Sequence, residues 1–189
     1  MKREWPELFD CIIDDDIEGL KKALLYNSVY VESDAFFGTL TPFTLTVMGP
    51  WEKCTEALEL LLKEANYVNH PMITDAFLVA IECKDLEKVK VFLEAGIDVN
   101  KKDTEGKIPL LISVQEGAIQ ITKELIDAGA DVLVKNESGV DAFNFAMKNG
   151  DIKTVHLIKE AAKKELIKRK IASKFVGQSR PANCRQNGV

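Results

Sequence analysis

The 189-residue sequence predicts an all-α fold, a solenoid of helix hairpins joined by short hairpin-like fingers, on three observations. Glycines recur at a spacing of 33 residues, pairing Gly96 with Gly129, Gly106 with Gly139 and Gly117 with Gly150. Between these marks the apolar residues follow a helical period. Two long stretches, GIDVNKKDTEGKIPL from Gly96 and GADVLVKNESGVDAF from Gly129, also repeat one order of turn residues and apolar runs.

Each element follows from that frame. Gly96 and Gly129 suit the left-handed residue after a helix, Gly106 and Gly139 a turn tip, and Gly117 and Gly150 the reversal between two helices. In the unit from Asp103 to Lys135, Leu110, Ile112, Ser113 and Val114 mark a short first helix, and Ile119, Leu125 and Ile126 give the second a buried stripe. The link DVLVKNESG is β-branched before a polar tip, which predicts an extended finger across the helix axes.

The stretches TPFTL at 41–45, DVN at 98–100, IPLLI at 108–112 and GAD at 129–131 resemble the ankyrin repeat, a family with 33-residue units, a Thr-Pro-Leu-His helix start and a Gly-Ala-Asp after the second helix. The resemblance implies five units: Trp5 to Asn27, Gly38 to Asn66, Met72 to Gly96, Gly106 to Gly129 and Gly139 to Lys164. Residues 1–165 are assigned to the repeat domain, and 166–189 to a basic helix extension and tail. Asp15 stands at the first reversal, and Asn27 replaces a terminal glycine. Thr41, Asp75 and Asp141 are expected to cap their helices, whereas Ile108 cannot. The family's His is replaced by Thr44, Leu78, Leu111 and Asn144, which predicts weaker bracing between units. Repeat two carries extra residues at its reversal, GPWEKC, and the finger NHPMITD should be blunt. Asn69 and Asn100, at a position hydroxylated in some members of the family, read as turn residues bonded to their own backbone.

Composition limits function. With 46% hydrophobic and 29% charged residues, the chain can bury a sizeable core. The charged start MKREWPELFD lacks an apolar leader segment, no run is long enough for a membrane span, and a cytoplasmic location is expected. Cys11, Cys54 and Cys83 read as reduced core residues, since no spacing suits metal, and His70 and His156 stand alone. The trio Asp14, Asp15 and Asp16 is explained by a reversal with solvated neighbours rather than by a cation. No phosphate-cradling loop, GxSxG or HExxH motif occurs, so neither catalytic residue nor cofactor is expected. Residues 161–189 carry +7, leaving −12 for residues 1–160 within a total of −5. An acidic body favours basic partners and disfavours nucleic acid. Ala162, Leu166 and Ile171 should cover the open end of the last repeat.

The resemblance implies a monomeric, non-catalytic protein-interaction module using fingers and first helices along a concave face. The variable positions fall on Lys102, Thr104, Glu105, Lys107, Gln115 and Glu116 in one unit. In the next they are Lys135, Glu137, Ser138, Val140, Lys148 and Asn149. Phe36 and Phe37 beside Gly38 are candidate aromatic anchors, while Trp51 is expected to pack. Narrower alternatives are an inhibitor of a basic enzyme, of the antitoxin or immunity type, or a secreted effector that binds a host protein.

Overall fold

The computed structural model describes residues 7–25, 33–35, 38–50, 53–65 and 68–176. Among them lie α1 (Glu7–Ile13), α2 (Ile17–Leu24), α3 (Pro42–Met48), α4 (Cys54–Glu64), α5 (Pro71–Glu82) and α6 (Leu86–Glu94). They continue with α7 (Pro109–Gln115), α8 (Ile119–Asp127), α9 (Ala142–Asn149) and α10 (Ile152–Val176). The strands β1 (Ser33–Ala35) and β2 (Gly38–Leu40) form an antiparallel hairpin between the first two helix pairs. The fold is therefore an all-helical array of five hairpins.

First helices stack on first helices, α1 on α3, α5, α7 and α9 in turn, and second helices form a parallel layer from α2 to α10. The core runs between the layers. Leu8 and Phe9, Phe43, Phe77, Leu110 and Ala142 fill it from the first layer, and Leu20, Leu58, Phe92, Leu125 and Ile158 from the second. Phe77 and Phe92 meet edge to face at 5.5 Å between ring centroids, a favoured aromatic geometry. Small residues occupy one register near the end of each first helix, where Thr46 and Ser113 donate their buried hydroxyls to Phe43 O and Leu110 O. Thr122 in turn donates to Ser113 Oγ at 3.0 Å.

Helix starts follow local chemistry. Thr41 and Thr44 cap α3 reciprocally, with Pro42 in its first turn. Asp141 accepts from Asn144 N at 3.0 Å, and Ile108 supplies no cap. Asp75 departs from expectation, because α5 begins earlier, at Pro71, whose fixed φ suits a first helical position. His70 caps that helix through Nδ1, which accepts from Met72 N at 3.3 Å. The residues expected to form a blunt finger are thus drawn into the helix. The run after Gly129 is not uniformly extended either: Asp131 Oδ1 accepts from Leu133 N and turns the chain, and only Lys135 pairs with Asp141 across the finger.

The reversal geometry is common to glycine and non-glycine units. Gly117 and Gly150 both have φ of +69°, while Asp15 and Lys84 hold +57° and +59° with side chains attached. Asp15 Oδ1 also accepts from Lys53 N at 3.0 Å, which ties the first reversal to the expanded second one. Of the cysteines, Cys54 is buried and Cys11 half-buried, with burial and then nearby Asp16 pushing the Cys11 thiol above its ordinary value. Cys83 is exposed, contrary to expectation, because it caps the end of α5 at the reversal. Trp5, Asn27, Trp51 and Cys184 lie outside the described residues.

The last helix is one continuous element through residue 165. Ala161 and Ala162 pack on the core, but Leu166 and Ile171 do not cover the end of the repeats as expected: both are exposed. A helix at 1.5 Å per residue simply outruns the short neighbours against which it packs.

Candidate interaction surface

Two fingers are built on the same device, 33 residues apart. Asp103 Oδ1 accepts from Glu105 N at 2.9 Å and Lys107 N at 2.7 Å. Asn136 Oδ1 accepts from Ser138 N at 3.1 Å and Val140 N at 2.9 Å. One short side chain thus satisfies two backbone donors per finger. The tip backbone is fixed internally, and the side chains of Lys102, Glu105, Glu137 and Ser138 remain exposed.

Asparagine joins the fingers to one another. Asn69 Oδ1 accepts from Asp98 N, and Asn100 Oδ1 from Asp131 N, both at 2.7 Å. Asn100 Nδ2 also donates to Gly129 O at 3.2 Å, and Lys101 Nζ donates to Asn69 O. These asparagines therefore bond the next unit rather than their own backbone. Bracing between units survives the loss of the family's His through a different side chain.

The predicted surface residues divide into free and committed groups. Lys102, Glu105, Gln115, Lys135, Glu137, Ser138 and Lys148 are exposed. Thr104 is held by Asp75, which accepts from its N–H at 3.0 Å and its hydroxyl at 3.1 Å. Lys107 lies between Glu82 at 2.9 Å and Glu105 at 3.0 Å, and those two carboxylates push its ammonium well above the ordinary lysine value. Glu116 faces Lys84 at 3.7 Å. Asn149 is committed internally, because Nδ2 donates to Val114 O at 3.0 Å and Gln115 O at 3.1 Å, tying unit five to unit four. Val140 is half-buried beneath its finger tip. Phe36 and Phe37, between β1 and β2, lie outside the described residues.

Two members of this face were missed in the sequence. Asp75 reads there as a cap, and only the early start of α5 turns it toward Thr104. Glu82 was legible, since Glu82, Gln115 and Lys148 each stand two residues before a reversal and 33 apart. They form an acidic, neutral and basic series at equivalent ends of α5, α7 and α9. No group of three metal-ligating side chains that could hold an ion occurs among the described residues, and among them no helix is long and apolar enough to cross a membrane.

Comparison with known families gives a match over residues 77–168 to ankyrin repeats (3 copies). The search of curated proteins finds no match to the chain. Ankyrin repeats are generally protein-protein interaction modules without catalytic activity, and the matched segment spans α6 to α9 with the joining fingers Asn100 and Asp103 organise. Residues 77–168 thus carry ankyrin repeats, in the register of the chain's glycines.

Proposed function

We propose that this chain is a non-catalytic scaffold that binds a protein partner across the fingers and first helices of units three to five. The observation that carries the reading is the division of labour in the fingers. Asp103, Asn136, Asn69 and Asn100 satisfy the backbone from below, while Lys102, Glu137 and Ser138 project with no structural duty. Such positions can vary in chemistry at no cost to the core, and pre-ordered backbone lowers the entropy lost on binding. The charge of −12 over residues 1–160 favours a partner with a basic contact surface. An inhibitor of a basic enzyme is one form such a partnership can take.

Affinity capture of the full chain followed by mass spectrometry identifies the partner. Glu105→Lys with Glu137→Lys should then weaken binding to such a basic surface at least about tenfold, the scale of losing about 1.4 kcal/mol, while leaving the melting curve nearly unchanged. Full affinity in that variant would move the site off this face.

A further inference from the structure

Beyond Glu165 the last helix leaves the body of the array. Residues 166–173 are exposed on every side, including the face that buries Thr154 and Ile158 earlier in α10. Short helices without tertiary packing are marginal in water. Among the described residues its side-chain tie to the body is Arg169, which donates from Nη2 to Asp131 at 2.9 Å and, within the helix, from Nε to Glu165 at 3.0 Å. A solvated projection should be polar all round. Instead Leu166 is 48% exposed, Ile167 49% and Ile171 52%. Lys163, Lys164, Lys168 and Lys170 surround them and make no ion pair among the described residues.

We propose that this projecting half of α10 is a second docking surface, and that its occupant is an acidic amphipathic helix of a partner protein. Ile167 and Ile171 stand four residues apart and share one helix face. Lysines flank that face on both sides, so a partner helix can seat apolar residues on the isoleucines and place carboxylates over the ammonium groups. An apolar centre with a charged rim is the usual anatomy of a protein interface. The pattern suits lipid less well, because Leu166 falls off the isoleucine face and lysines interleave, whereas an interfacial helix separates its two faces. A nucleic-acid backbone would leave the two isoleucines uncovered, so it fits this face less well. This surface is separate from the fingers and does not depend on what they bind.

The test uses the full chain and a labelled synthetic peptide of about three heptads, with leucine at the a and d positions and glutamate elsewhere, followed by fluorescence anisotropy. Binding should weaken at least about tenfold, or about 1.4 kcal/mol, in Ile167→Gln with Ile171→Gln and in Lys168→Gln with Lys170→Gln. It should also weaken as salt rises and persist in Lys102→Glu with Lys135→Glu. Glutamine is a good helix former, so circular dichroism should be unchanged, and the lysine pair tests the charge claim independently of the isoleucines. Equal affinity for a peptide with glutamine in place of glutamate, or full binding in both α10 variants, would overturn the proposal. So would preferential binding to phosphatidylserine vesicles, or self-association of the chain that both variants abolish.

Discussion

Units four and five are built from the same 33-residue pattern and are held in place differently. In unit four neither helix has a side-chain cap: Ile108 precedes α7 and Ala118 precedes α8. In unit five Asp141 caps α9, and Asp151 accepts from Lys153 N at 3.0 Å and Thr154 N at 3.2 Å at the start of α10. Burial runs the other way. Helix α7 lies between α5 and α9 and buries Pro109, Leu110, Leu111, Ser113 and Val114, whereas α9 buries only Ala142 and Ala146. An interior hairpin takes its stability from two neighbours, and a terminal one, with a single neighbour, relies on its own caps.

The largest expected effect is therefore in the core of unit four. Leu125 is fully buried between the layers, so Leu125→Ala should lower stability by about 3 kcal/mol through lost transfer energy and the cavity left behind. Because neighbours share that surface, hydrogen exchange should quicken in units three and five as well. Acceleration confined to residues 103–135 would show that unit four stands alone.

Next come the positions where backbone geometry admits little but glycine. A side chain at Gly129 would meet nothing within 4 Å, so the cost of Gly129→Val lies in its φ of +96°. About 1–2 kcal/mol is expected for a β-branched residue there. Gly106→Val, at φ +79° with Glu137 Oε1 3.7 Å away, should behave alike. Denaturant midpoints equal to the parent in both variants would remove the strain argument.

These glycines are also why the repeat could be read from sequence at all. Where the left-handed residue is glycine, the period of 33 announces itself; where it is Asp15 or Lys84, the same geometry leaves no compositional trace. Caps were legible when a polar residue stood directly before a periodic run, as at Thr41 and Asp141. Asp75 misled because Pro71 offered an earlier start four residues away. Asn69 and Asn100 were placed in turns but given the wrong partners, since each bonds a backbone group about 30 residues distant and local spacing carries no such information. The exposure of Leu166, Ile167 and Ile171 was hidden for a related reason. Helical period fixes which residues share a face, not whether a neighbour reaches far enough to cover it.

Caps give smaller and opposite effects in the two units. Asp141→Ala should cost about 1 kcal/mol. Ala118 has φ −83° and ψ 69°, close to the φ −84° and ψ 90° at which Asp85 caps α6. Ala118→Asp should therefore stabilise by about 0.5 kcal/mol, the usual cap reduced by moving a half-buried methyl. A loss of stability on this change would mean that packing already uses the site fully.

The smallest effect concerns pH. The Asp151 carboxyl is held below its ordinary value, first by the Thr154 hydroxyl and then by the Thr154 and Lys153 N–H groups. A depressed folded-state value means that the charged form is favoured by folding. Its contribution is complete above the unfolded carboxyl value near pH 4 and is lost as pH falls through the lower folded value. Asparagine caps about as well as aspartate but does not titrate. Asp151→Asn should thus leave stability at neutral pH within about 0.5 kcal/mol of the parent and flatten its decline below about pH 4, measured as urea midpoints between neutral and acid pH. The same exchange at Ala118, as Ala118→Asn, should change stability without changing its pH slope, because no carboxylate exists there in the parent. A pH profile for Asp151→Asn that overlays the parent would show that the terminal unit's acid sensitivity arises elsewhere.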